Sequence, residues 1–140
     1  MLKPETAQKF LKFILLFAGG LLVTAFVAVL LPTEMMAAGH EWLGLGEFPN
    51  SPITMYLARS TSLLYGIHGV LMVYTGLTMQ HHWRLAWYFS SLHIVIGITM
   101  LVTDMTAGMP LYWILGEGPP VALLGAFMLL LCKTGYSSKT

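Results

Sequence analysis

Four long apolar stretches organise this chain, and short polar segments separate them. The first, 13–31, would span about 28 Å at ~1.5 Å per residue, close to the ~30 Å hydrocarbon core of a bilayer. Lys9 and Lys12 flank one end and Pro32 stops the other. It resembles a signal peptide in its basic start and its small residues Ala37, Ala38 and Gly39, but its apolar run is too long for an h-region. It therefore reads as a retained span. Further spans follow over about 53–79, 85–103 and 119–136, the last opening on a Pro pair suited to a first helical turn. The expected fold is all-α: a four-helix transmembrane bundle, formed as one integral membrane domain over 1–140.

Two connections are more than loops. Segment 33–45 (TEMMAAGHEWLGL) is too short and polar to cross, and is expected as a helix on the outer surface, N-capped by Thr33 and anchored by Trp42. Segment 111–116 (LYWILG) is a second such turn, ended by Gly118 and Pro119. The fold thus carries one or two short interfacial helices on the outer face.

Composition agrees. The chain is 56% hydrophobic and 9% charged, with mean hydropathy +0.73. A soluble domain carries about 25% charged residues, so this one lacks polar atoms to cover a surface in water. A net charge of +1 offers no bulk attraction to nucleic acid. The single Cys132 excludes a disulfide framework and a Cys-based zinc site.

Charge placement sets orientation. With the N-terminus inside, Lys3, Lys9, Lys12, Arg84, Lys133 and Lys139 lie inside, six of the seven basic residues. Glu34, Glu41, Glu47, Asp104 and Glu117 lie outside. The positive-inside rule then puts both termini in the cytoplasm, which requires an even number of spans. The expected location is a bacterial inner (cytoplasmic) membrane.

Helix faces follow from spacing. Ala86, Ser90, His93, Gly97, Met100 and Asp104 form one stripe on helix three, which must face protein because His93 and Asp104 are costly against lipid. On helix two, Leu63, Leu64, Ile67, Leu71 and Tyr74 share a lipid-facing arc; Ser62, Tyr65, Gly66, Gly69, Thr75 and Gly76 lie opposite. Gly20, Thr24 and Ala28 give helix one a small-residue edge suited to close helix packing.

Two polar layers result. His68 and His93 lie equally far from the turn centred at 80–81, so an antiparallel hairpin places them at one depth. Two imidazoles there are the ligand set a b-type haem needs; hydrogen-bonded packing is the plainer reading. Arg59, Asp104 and Glu117 form an outer layer, with Tyr56, Tyr112 and Trp113 nearby. Such a layer ties helix ends together or lines a pocket for an anion or lipid headgroup. His81 and His82 fall in the inner turn and are expected in solvent, without a ligand. His40, Glu41 and Glu34 make at most a weak metal site, because adjacent helix residues face different ways. The ten methionines are dispersed, as packing residues are.

The segments HEWLGLGEFP (His40 to Pro49), MYLARSTSLLYG (Met55 to Gly66) and DMTAGMPLYWILGEGP (Asp104 to Pro119) resemble a family of small bacterial four-span integral membrane proteins with no assigned activity. The likeness runs from Pro32 to the end of the chain and implies a fold without catalytic residues. The architecture is also similar to DoxX-like four-helix proteins, with no shared motif.

The leading expectation is a membrane protein without catalytic activity, cofactor or metal. It would act as an accessory or self-associating bundle whose partners are the bilayer and a homo-oligomer or larger membrane complex, not nucleic acid. The alternatives are an electron-transfer module holding haem b between His68 and His93, and an outward pocket for a lipid or small anion.

Overall fold

A computed structural model describes residues 2–49 and 51–136, and every regular element among them is helical. The order is α1 (Pro4–Val23), α2 (Ala25–Leu30), α3 (Thr33–Trp42), α4 (Pro52–Thr78), α5 (Trp83–Ala107), α6 (Leu111–Gly116) and α7 (Gly118–Tyr136). Lys139, counted among the inner cations, lies outside the described residues.

Local chemistry explains the boundaries. Pro4 occupies the first position of α1, where its missing N–H costs nothing, and Glu5 complements the helix dipole. The first helix therefore starts well before residue 13, because the polar turns ahead of the apolar run are helical too. It also breaks once. The Thr24 hydroxyl donates to Leu21 O at 2.6 Å, and Thr24 N–H bonds the same carbonyl at 3.1 Å, tightening the backbone to an i→i−3 pattern. Leu31, ahead of Pro32, is forced to an extended backbone with ψ 139.

Helix α3 forms as expected, but its N-cap is Pro32; Thr33 is already helical and makes no capping bond. Pro32 has the extended ψ of 149 that an N-cap requires and cannot extend a helix backwards. The start of α4 is capped by a side chain: Ser51 Oγ accepts the Thr54 N–H at 3.2 Å. Gly108, with φ 71, ends α5 while Met109 N–H returns to Asp104 O at 3.0 Å.

Among the described residues three stretches are long and apolar enough to cross a membrane: Pro4–Leu30, Trp83–Ala107 and Leu111–Tyr136. Helix α4 has the length, at 27 residues. Arg59, His68, three glycines and several hydroxyl residues dilute its apolarity.

The chain divides into two compact units. In the first, built from 1–16 and 74–140, α1 buries Ala7, Leu11 and Leu15 at four-residue spacing. Gln8 Nε2 donates to Gly135 O at 2.9 Å, tying α1 to the end of α7. The α5 stripe is the buried side of that helix: Ala86, Ser90, His93, Gly97 and Asp104 are buried, and Met100 is half-buried. Helix α7 closes it with Gly118, Gly125, Met128 and Cys132.

In the second unit, 17–73, the seam is glycine on glycine. A Cβ on Gly69 would lie 2.6 Å from Gly19 O, and one on Gly19 would lie 2.9 Å from Gly69 O. The expected lipid-facing arc of α4 is exposed throughout, from Leu63 to Tyr74. Opposite it Gly66 and Gly69 are buried, whereas Tyr65 is 38% exposed.

Candidate functional site

The buried polar groups of the first unit lie on the α5–α7 seam and follow from one helical stripe. Ser90 donates to Ala86 O at 2.7 Å, one turn back. Its single proton is thereby committed, so at the 3.5 Å contact with Cys132 the thiol donates and Oγ accepts. His93, 5% exposed, places Nδ1 2.7 Å from Phe89 O. A carbonyl only accepts, so Nδ1 is the donor in this bond; in the neutral ring Nε2 then carries the lone pair. That tautomer serves a hydrogen-bonded core histidine and a haem ligand equally. The His93 Cβ lies 2.8 Å from where a Gly125 Cβ would stand, so α7 passes directly over it. His68 belongs to the second unit and is half-buried on α4.

The other polar cluster forms where α5, α6 and α7 meet. Asp104 is 8% exposed in the last turn of α5. Glu117 stands between α6 and α7, near enough for the two carboxylates to repel. Trp113 on α6 donates Nε1–H to Glu117 Oε2 at 2.6 Å, a charge-assisted bond that fixes α6 to the start of α7. Asp104 Oδ2 is buried and, among the described residues, meets no hydrogen-bond donor. Three of the expected outer residues, Asp104, Glu117 and Trp113, are therefore brought together.

Arg59 lies in the second unit, exposed, with Nη2 3.4 Å from Leu31 O at the end of α2. A cation there suits the negative end of a helix dipole. Tyr56 is 64% exposed, and Tyr112 is exposed as well.

The turn between α4 and α5 is exposed, as expected, and adds a ring contact. His81 and His82 are exposed, yet the His82 ring stacks on Tyr74 at 6.3 Å, with 28° between the planes. Offset ring pairs in this range are attractive. The spacing of Trp83 and Trp87, four apart on one helix face, was the available signal that this turn is built up rather than bare.

Among the described residues no group of three or more His, Cys, Asp or Glu side chains could hold a metal ion. No protein-family model, curated protein or solved structure matches the chain.

The carboxylate cluster makes a prediction. Asp104→Asn keeps the volume, removes one of two repelling charges, and takes the charge off a buried group whose Oδ2 meets no donor among the described residues. We expect the variant to be more stable by about 1 kcal/mol in a detergent-unfolding titration. A loss of similar size would mean that the Asp104 charge is itself needed.

Proposed function

We propose that the chain is a four-span integral membrane bundle of the bacterial cytoplasmic membrane, both termini inside, serving as a non-catalytic, self-associating accessory protein. Large apolar side chains stand exposed along all four long helices, from Phe13 and Phe17 through Leu64, Val95 and Ile98 to Leu123 and Leu130. A water-facing surface of that kind would be an aggregation hazard, whereas lipid covers it without cost. The clustering of Lys and Arg in the segments assigned to the inside supports the orientation. With α4 counted as a span, the number is even. Its Arg59 and His68 are tolerable there if each faces a neighbouring helix. The likeness to small bacterial four-span proteins carried by 40–49, 55–66 and 104–119 fits the same reading.

The observation that carries self-association is the contrast between adjacent glycines. Gly19 is used inside the chain, whereas a Cβ on Gly20 would meet nothing within 4 Å. Along the edge Gly20, Thr24 and Ala28, the first two are exposed and Ala28 half-buried, so its Gly20–Thr24 part is open for two copies to approach backbone to backbone.

The test has two parts. Protein carrying reporters at each end should resist carbonate extraction, with both reporters accessible only from the cytoplasmic side. In bilayers, energy transfer between labelled copies should report an oligomer that Gly20→Leu weakens by about tenfold in its dissociation constant. One reporter outside would overturn the span count, and a wild-type monomer at high protein-to-lipid ratio would overturn the self-association.

A further inference from the structure

At the turn between α4 and α5 the first unit holds a partly open cavity of about 550 Å³, within the range of small-ligand sites. His81, His82, Trp83, Arg84 and Trp87 line it from the turn and the start of α5, and Tyr136 from the end of α7. Among the described residues no carboxylate side chain lines it. Among the described residues the side chains of Arg84 and His81 have no hydrogen-bond or ion-pair partner. Tyr74, stacked on His82 and half exposed, continues the aromatic wall along α4.

We infer that this cavity binds the phosphate of an anionic phospholipid headgroup, with Arg84 as its principal ligand and His81 and His82 as further donors. A guanidinium offers paired N–H donors in the geometry a phosphate accepts, and imidazole N–H groups add to it. Tryptophan and tyrosine rings prefer the headgroup level of a bilayer, where one side is apolar and the other wet. Basic pockets between spanning helices on the cytoplasmic side are where anionic headgroups are held. Leu77 and Tyr88, exposed on the adjoining turns, offer apolar surface to the acyl chains. The inference rests on the membrane reading and orientation proposed above.

The chain in dodecylmaltoside micelles would be titrated with dihexanoyl-phosphatidylglycerol, dihexanoyl-phosphatidylcholine and inorganic phosphate, and bound adducts counted by native mass spectrometry. Phosphatidylglycerol should be retained about tenfold better than phosphatidylcholine, whose choline cation repels Arg84. Arg84→Gln should lower that retention about tenfold, the size of one charge-assisted hydrogen bond. Arg84→Lys should recover part of it. Lys133→Gln removes a nearby cation outside the cavity and should change nothing; an equal loss there would reduce the effect to diffuse surface charge and overturn the site. Inorganic phosphate bound as tightly as phosphatidylglycerol would assign the cavity to a free phosphate and overturn the lipid. No saturable adduct with either anion would also overturn it. Circular dichroism of each variant separates lost binding from lost folding. A chain released by carbonate would instead refute the membrane reading, whatever the titration shows.

Discussion

Gly97→Val should lose about 3 kcal/mol of stability or fail to fold, the largest effect expected of a single substitution in the first unit. A Cβ at Gly97 would stand 2.6 Å from Gly118 O and meet the backbone nitrogen of Ala122. These are backbone atoms of α7, which cannot rotate away as a side chain tip can. The approach is reciprocal, because a Cβ on Gly118 would lie 2.7 Å from Gly97 O. Relief therefore requires the two helices to part. Parting them would loosen Gly125 from His93 and separate Ser90 from Cys132 on the same seam.

The lone cysteine supplies the readout. Cys132 is fully buried on this seam, toward the C-terminal end of α7, so its alkylation by a maleimide requires opening. In the wild type the thiol should label slowly, and in Gly97→Val at close to the rate of the unfolded chain. Gly116→Val, in the short α6 with nothing within 4 Å of its Cβ, should retain slow labelling. Equal protection in Gly97→Val and the wild type would show that α5 and α7 do not meet there.

Much of this arrangement was legible in the sequence. The four apolar stretches became α1 with α2, α4, α5 and α7, and Gly or Pro marked half of the ends of the four long helices. The α5 stripe could be read because polar and small residues recur at alternating spacings of four and three. Burial then follows from the cost of His93 and Asp104 against lipid. The cluster of Asp104, Glu117 and Trp113 was legible for a related reason: all three fall close to the same helix ends.

What the stripe could not reveal is its partner. Hydrophobic and small residues look alike whether a helix packs on its sequence neighbour or on one further along. Nothing in the spacing of α5 says that Gly118 and Gly125 of α7 fill it. The cavity was hidden for the same reason, because Tyr136 reaches the turn only through the tertiary fold. The break at Thr24 depends on a hydroxyl choosing a carbonyl one turn back, which composition does not determine.

Gly19→Val and Gly20→Val, one residue apart, should have opposite outcomes. Valine at Gly19 would drive a Cβ to 2.9 Å from both Gly69 O and the Met72 Cβ, with Val73 a further neighbour at 3.0 Å. Met72 is fully buried and cannot yield. We expect a loss of about 3 kcal/mol, read from the detergent-unfolding midpoint. Valine at Gly20 meets open space and should leave that midpoint unchanged. The helix-interior glycine it removes and the β-branch it introduces nearly offset each other in helix propensity. Any effect of Gly20→Val should therefore appear only between copies, as weaker energy transfer in the bilayer at unchanged stability. The small-residue spacing identified the Gly20 edge and left open whether the chain uses it internally; the chain packs through Gly19, one residue away. That one-residue rotation, ~100° about the axis, is what leaves the neighbouring edge open to a second copy. A destabilised Gly20→Val beside a tolerated Gly19→Val would reverse the assignment of the two faces and remove the basis for self-association through this edge.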